Sequence, residues 1–242
     1  MNPRVERLRS ATDLTSAARL YRDVFGYQDP AQSVNPRLLA SLAANGGSVV
    51  GVRGDDGELV AFAYGFVGME GGAVYHYSQA AVVAAGQQGR GLGRALKRGQ
   101  REVALAGGQT RMRWSFDPSV VRNAHFNLDV LGAAGRWFRP EFFGLPDTDR
   151  MIVDWDLDDD RRAGAAPAPA QPPAGLADPA GWLRPRSDGP DTWLPLPLTS
   201  TPEQRRELGA VLSSLIAEGS VAASCVRVSP ETGAYRFVRA AP

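Results

Sequence analysis

Cysteine is nearly absent from this 242-residue chain: Cys225 stands alone, so no internal disulfide can form. Histidine is almost as scarce, with His76 and His125 the only two. No Cys/His cluster has the spacing of a zinc site, and no metal is expected. No apolar run approaches the roughly 18 residues of a membrane span, and the opening "MNPRVERLRSATDL" lacks the apolar core of a signal segment. The expectation is a soluble, cytoplasmic protein with no membrane partner. Net charge is also missing. The 27 basic and 26 acidic residues leave +1, so no global field points to nucleic acid. What remains is an ordinary globular composition, 43% hydrophobic and 22% charged, with enough chain for one full domain and a smaller appendage.

Periodicity orders the first two thirds of the chain. Residues 10–25 form an amphipathic pattern that Ser10 or Thr12 can cap, and "NPRLLASLAANGG" is a shorter helix between Pro36 and Asn45. Strands are expected at 48–53 and 58–67, joined by the hairpin turn Asp55-Asp56-Gly57. "GGAVYHYSQAAVV" is a third strand, followed by a helix to about Ala106, a strand in "TRMRWSF", a helix over 121–131 and a strand in "DRMIVDWDL". The composition then changes. Residues 158–190 are rich in Ala, Pro and acid and resemble a linker, and 191–242 carry a strand, a helix and two short strands. Three parts are therefore expected: a main domain over 1–157, the linker over 158–190, and a C-terminal extension over 191–242. About 50 residues bury little surface alone, so the extension should pack on the main domain or on a second copy of the chain in a homodimer.

The stretch "AAGQQGRGLGRALKRGQRE" is the local exception to the neutral balance. Gly89, Gly91 and Gly93 lead into a segment carrying Arg90, Arg94, Lys97, Arg98 and Arg101. The first turn of a helix has N–H groups without intrahelical partners and a partial positive charge. A diphosphate can take those groups where no Cβ holds it away, and Arg90, Arg94 and Lys97 or Arg98 can add charge-assisted contacts. A P-loop string is absent, and the spacing G-x-G-x-G does not meet the dinucleotide fingerprint, whose acidic position is here Arg111.

Gln88-Gly89-Arg90-Gly91-Leu92-Gly93 does meet [RQ]-x-x-G-x-[GA], and here the chain resembles the GCN5-related N-acetyltransferases, the GNAT superfamily. "WSFDPSVVRNAHFNLDVLGA" and the later "GLPDTDR" are similar to the signature of a bacterial GNAT subgroup with a C-terminal extension. The resemblance implies a mixed α/β fold with a central, mostly antiparallel twisted sheet flanked by helices, plus the small extension. It implies an acyl-CoA-dependent N-acyltransferase using acetyl-CoA or succinyl-CoA on a small amine or amino acid. A non-catalytic acyl-CoA sensor of the same fold is the alternative.

The same resemblance implies the site residues. Val82 and Val83 would hold the pantetheine through their backbone, Gln88, Gly89, Arg90, Gly91, Leu92, Gly93 and Arg94 the diphosphate, and Asn123 a further part of the cofactor. Many members place a tyrosine acid four residues before the glycine that ends the next helix; that position is Leu128 here, counted back from Gly132. His125 and Asn127 are then the catalytic candidates. Asn123 can equally be a helix-start residue, His125 a buried bonded histidine, and Asp117 before Pro118 a turn residue. His76, Tyr77, Ser78 and Gln79 lie on the strand before the turn, where alternate side chains are expected to face the acceptor cleft.

Overall fold

A computed structural model describes residues 3–29, 32–158 and 171–239. The chain forms two compact units that part between Arg113 and Trp114, inside a strand.

The first unit opens with β1 (Glu6–Arg7), α1 (Ala11–Phe25) and α2 (Pro36–Ala44). Ser10 caps α1 in a reciprocal box with Asp13, and Asn35 caps α2 ahead of Pro36. β2 (Ser48–Arg53), β3 (Leu59–Glu70) and β4 (Ala73–Val83) follow, then α3 (Leu92–Ala106) and β5 (Arg111–Phe116). The order is β1-β2-β3-β4-β5, antiparallel throughout except that β4 and β5 run parallel at His76↔Met112 and Tyr77↔Arg113. The β2–β3 turn places Gly57 at φ +81°, a conformation glycine adopts without penalty. Strand alternation sorts the core into two layers. Val49, Phe62 and Tyr64 pack with α1 and α2, whereas Val50, Val52, Ala61 and Ala63 pack with Leu92, Leu96 and Val103 of α3. The small alanines let α3 lie close to the sheet.

The second unit contains α4 (Val121–His125), which continues as a π-helical turn (Phe126–Val130), and then β6 (Ala134–Arg139) and β7 (Arg150–Asp156). After residues 159–170, which lie outside the described residues, come β8 (Arg186–Asp188), β9 (Asp191–Pro197), α5 (Pro202–Ala217), β10 (Ser220–Arg227) and β11 (Thr232–Arg239). The antiparallel order is β7-β6-β10-β11-β9-β8. β10 pairs with β6 of the same chain at Ala222↔Gly135, where a Cβ on Gly135 would stand 2.9 Å from that of Ala222.

Each unit is thus mixed α/β around a mostly antiparallel sheet. Several elements differ from the sequence expectation. The expected helix over 121–131 is only five α-helical residues plus the π turn, and β6 and β8 went unforeseen. The linker composition also hides packed chain: Leu176 and Leu183 are buried, and Leu176 joins Trp193 and Ala234 in one apolar cluster. Residues 159–170, with five alanines and two prolines, lie outside the described residues.

Candidate functional site

The glycine-rich turn is the end of β4 folding into α3. After a single 3-10 turn (Ala85–Gln87), Gly89 takes φ +77° and Gly91 φ +78°, and Gly91 serves as the N-cap of α3. No heavy atom lies within 4 Å of where a Cβ would stand on either glycine, so both face open space. Among the described residues, the backbone N–H groups of Gly89, Gly91, Leu92 and Gly93 donate to no protein acceptor, and the first closing bond of the helix is Ala95 N–H to Gly91 O at 3.1 Å. The helix therefore presents its unpaired donors beside a surface with no side chains in the way. Gln88 and Arg90 are exposed, and the Arg90 guanidinium donates to Gln87 Oε1. A groove of about 540 Å³ adjoins the turn, with Arg4, Arg53, Gln87 and Arg90 among its walls. Arg53 is held there by Glu6 and Asp13, both at 2.6 Å.

Lys97 departs from the expected phosphate role. It is 4% exposed and points into the first unit, where its Nζ donates to Ser78 Oγ at 2.8 Å. Ser78 donates to Gln100 Oε1 at 2.7 Å, Gln100 Nε2 donates to Ser48 Oγ at 3.0 Å, and Ser48 Oγ lies 2.8 Å from His76 Nε2. The direction of the Ser48–His76 bond follows the ring tautomer, and His76 Nδ1 is buried with no hydrogen-bond partner among the described residues. Burial lowers the His76 pKa from 6.5 to about 4 and holds that of Lys97 well below its usual value. Along β4 the side chains alternate as expected. His76 and Ser78 are sealed beneath α3, Tyr77 packs on Phe66, and a bulge between Ala80 and Ser78 leaves Gln79 exposed. The network's one trace in the sequence is Lys97 and Gln100 lying on the apolar stripe of α3 with Leu96 and Val103.

The remaining candidates lie in the second unit. Asn123 is exposed on α4 and its carboxamide makes no hydrogen bond among the described residues. Asn127 is buried, its Oδ1 accepting from Trp114 Nε1 at 2.8 Å. Leu128, at the position of the family's tyrosine, is 1% exposed. His125 is half-exposed and oriented. Its Nδ1 lies 2.9 Å from Cys225 O and 3.1 Å from Asp129 Oδ2, and Asp129 is fixed in turn by Ser224 Oγ at 2.6 Å and Cys225 N at 2.9 Å. A carbonyl can only accept, so Nδ1 carries a proton, and in the neutral ring the lone pair is then on Nε2. Asp117 is a turn residue whose Oδ1 accepts from the Ser119 N–H and hydroxyl. Cys225 is buried and unbridged. Among the described residues no group of three or more His, Cys, Asp or Glu could hold a metal, and no helix is long and apolar enough to cross a membrane.

No protein-family model matches the chain, and no curated protein matches it in sequence. Solved structures do match in shape. The ribosomal-protein-S18-alanine N-acetyltransferase of Escherichia coli aligns over 64% of this chain and 93% of its own, with a TM-score of 0.51 and 18% identity. An acetyltransferase of the GNAT family from Desulfovibrio desulfuricans aligns over 64% and 98%, with a TM-score of 0.50 and 17% identity. The yncA acetyltransferase of Salmonella typhimurium, solved with its cofactor acetyl-CoA, aligns over 69% and 99%, with a TM-score of 0.52 and 17% identity. The fold is therefore that of the GNAT acetyltransferases. At these identities the shared property is the fold.

Proposed function

We propose that this chain is an acyl-CoA-dependent N-acyltransferase that transfers an acetyl or succinyl group to a small amine or amino acid. The observation that carries the reading is the turn at 89–93, where unpaired amides at the N-terminus of α3 adjoin two left-handed glycines with open space beyond them. A linked pair of phosphates suits this cradle, because each phosphate accepts N–H donors and gains from the helix dipole. Residues 88–94 take the diphosphate in this reading, the backbone of Val82 and Val83 the pantetheine, and Asn123 a further polar part of the cofactor.

Direct transfer makes an N–C bond and breaks the thioester C–S bond. The amine must give up one proton, and the departing thiolate must gain one. Of the two catalytic candidates, His125 has a nitrogen to offer: its Nε2 lone pair can accept the amine proton, while Asp129 and Cys225 O hold the ring. Asn127 has committed its carbonyl oxygen to Trp114. Leu128 supplies no acid, which is the observation favouring the second reading, a fold-related sensor that binds acyl-CoA without turnover.

A thiol-release assay with acetyl-CoA and succinyl-CoA over amines and amino acids tests the two. Free CoA thiol appearing in step with acylated amine is the expected result. Saturable acyl-CoA binding with no thiol across the panel would establish the sensor, and no binding at all would overturn both.

A further inference from the structure

We infer that a cavity in the second unit, separate in its residues from every site assigned above, binds a small ligand carrying both an ammonium and a carboxylate group. The cavity holds about 180 Å³ and is built from the turn at 117–119, the β6–β7 connection and the first half of α5. Its walls carry both signs of charge: Asp117, Glu141, Asp147 and Asp149 on one side of the ledger, Arg205 and Arg206 on the other.

These charges do not cancel one another. Asp117 and Asp149 each use one oxygen locally, on Ser119 and on the Glu141 N–H at 2.9 Å. The side chains of Glu141 and Asp147 make no hydrogen bond or ion pair among the described residues, and neither do those of Arg205 and Arg206. Opposite charges that line one cavity without closing on each other leave two half-sites with a gap between them. A lone anion there meets the carboxylates and a lone cation meets the guanidiniums. A molecule with both groups satisfies both walls, and guanidinium is well suited to a carboxylate.

The walls are also set in place. Asp149 anchors the connection through Glu141 and rests against α5 at Gly209, where a Cβ would stand 2.7 Å from its Oδ2 and 3.3 Å from Phe138. Leu208, 1% exposed, gives α5 an apolar anchor beside the two arginines. Four carboxylates against two guanidiniums leave the lining net negative. A ligand with more ammonium than carboxylate, of the diamino-acid class, is therefore preferred over an acidic one.

The inference stands without the acyl-transfer reading and is tested in the absence of CoA. Calorimetric titration of the full chain with L-lysine should saturate. Cadaverine, which lacks the carboxylate, and glutarate, which lacks the ammonium, should bind at least about tenfold more weakly, the value of one charge-assisted contact. The R205A/R206A variant, altered only at exposed positions, should weaken L-lysine about tenfold or more and abolish its preference over cadaverine. The E141Q/D147N variant should weaken cadaverine and L-lysine alike. No saturable binding of L-lysine, or unchanged affinity in R205A/R206A with a native circular dichroism spectrum, would overturn the inference.

Discussion

Two polar regions meet the same helix, and they spend their hydrogen bonds in opposite ways. At the N-terminus of α3 the backbone keeps its donors open on the surface, among glycines with nothing within 4 Å. Along the inner face, Lys97 and Gln100 close a chain through Ser78 and Ser48 to His76, all of it buried. Water satisfies the first set at little cost, so a ligand can exchange with it. The second set has no water to fall back on, and each member depends on its neighbours. The difference teaches that a run of basic residues is not one feature: Arg90 faces out and Lys97 in, and the two should respond to unlike perturbations.

The largest expected effect is on the buried side. The unfolded chain protonates His76 near 6.5 and the folded protein only near 4, so between those values the unfolded state binds a proton that the native state does not. The contribution of His76 to stability is then complete above 6.5 and falls as pH drops toward 4, by about 3 kcal/mol. Denaturant titrations across pH 4–7 should show that slope, and His76→Gln should flatten it. Ser78→Ala should cost about 2 kcal/mol, because it strips Lys97 of an acceptor and Gln100 of a donor. Neither change should alter the affinity of intact protein for CoA.

On the open side the effects invert. Gly91→Ala should lower CoA affinity at least about tenfold, roughly 1.4 kcal/mol, by setting a methyl in the proposed place of the diphosphate. Gly57→Ala is its control: φ is +81° at Gly57 and +78° at Gly91, with open space at both, so the backbone strain matches while CoA binding should not change. The smallest effect is at Arg90, exposed on the rim of the groove. Arg90→Ala should weaken CoA about threefold, and added salt should erase the difference. A stability loss without an affinity loss at Gly91 would erase the contrast between the regions.

The sequence carried the open region well and the closed one poorly. Glycine at φ near +78° announces itself, because few other residues fit, and a strand before it and an apolar-striped helix after it fix the context. β2 runs over the expected residues and α3 ends where expected, since alternation and helix periodicity are local signals. The buried network joins Ser48, His76 and Gln100 across three elements, and no local spacing encodes that. The linker expectation shows the same limit. Ala and Pro dominate the composition there, but Leu176 and Leu183 are enough to pack its described end against the sheet. In the second unit, His125 and Asp129 stand at a helical spacing of four that the sequence shows, whereas the Cys225 carbonyl that requires a proton on Nδ1 is brought in by packing across 100 positions.

Amide chemical shifts recorded while CoA is titrated into isotope-labelled protein address the central claim most directly. The account predicts that the N–H signals of Gly89, Gly91, Leu92 and Gly93 move furthest and saturate together, and that pantetheine, which lacks the diphosphate, leaves them in place. Saturable binding of CoA with those four signals unmoved would contradict it.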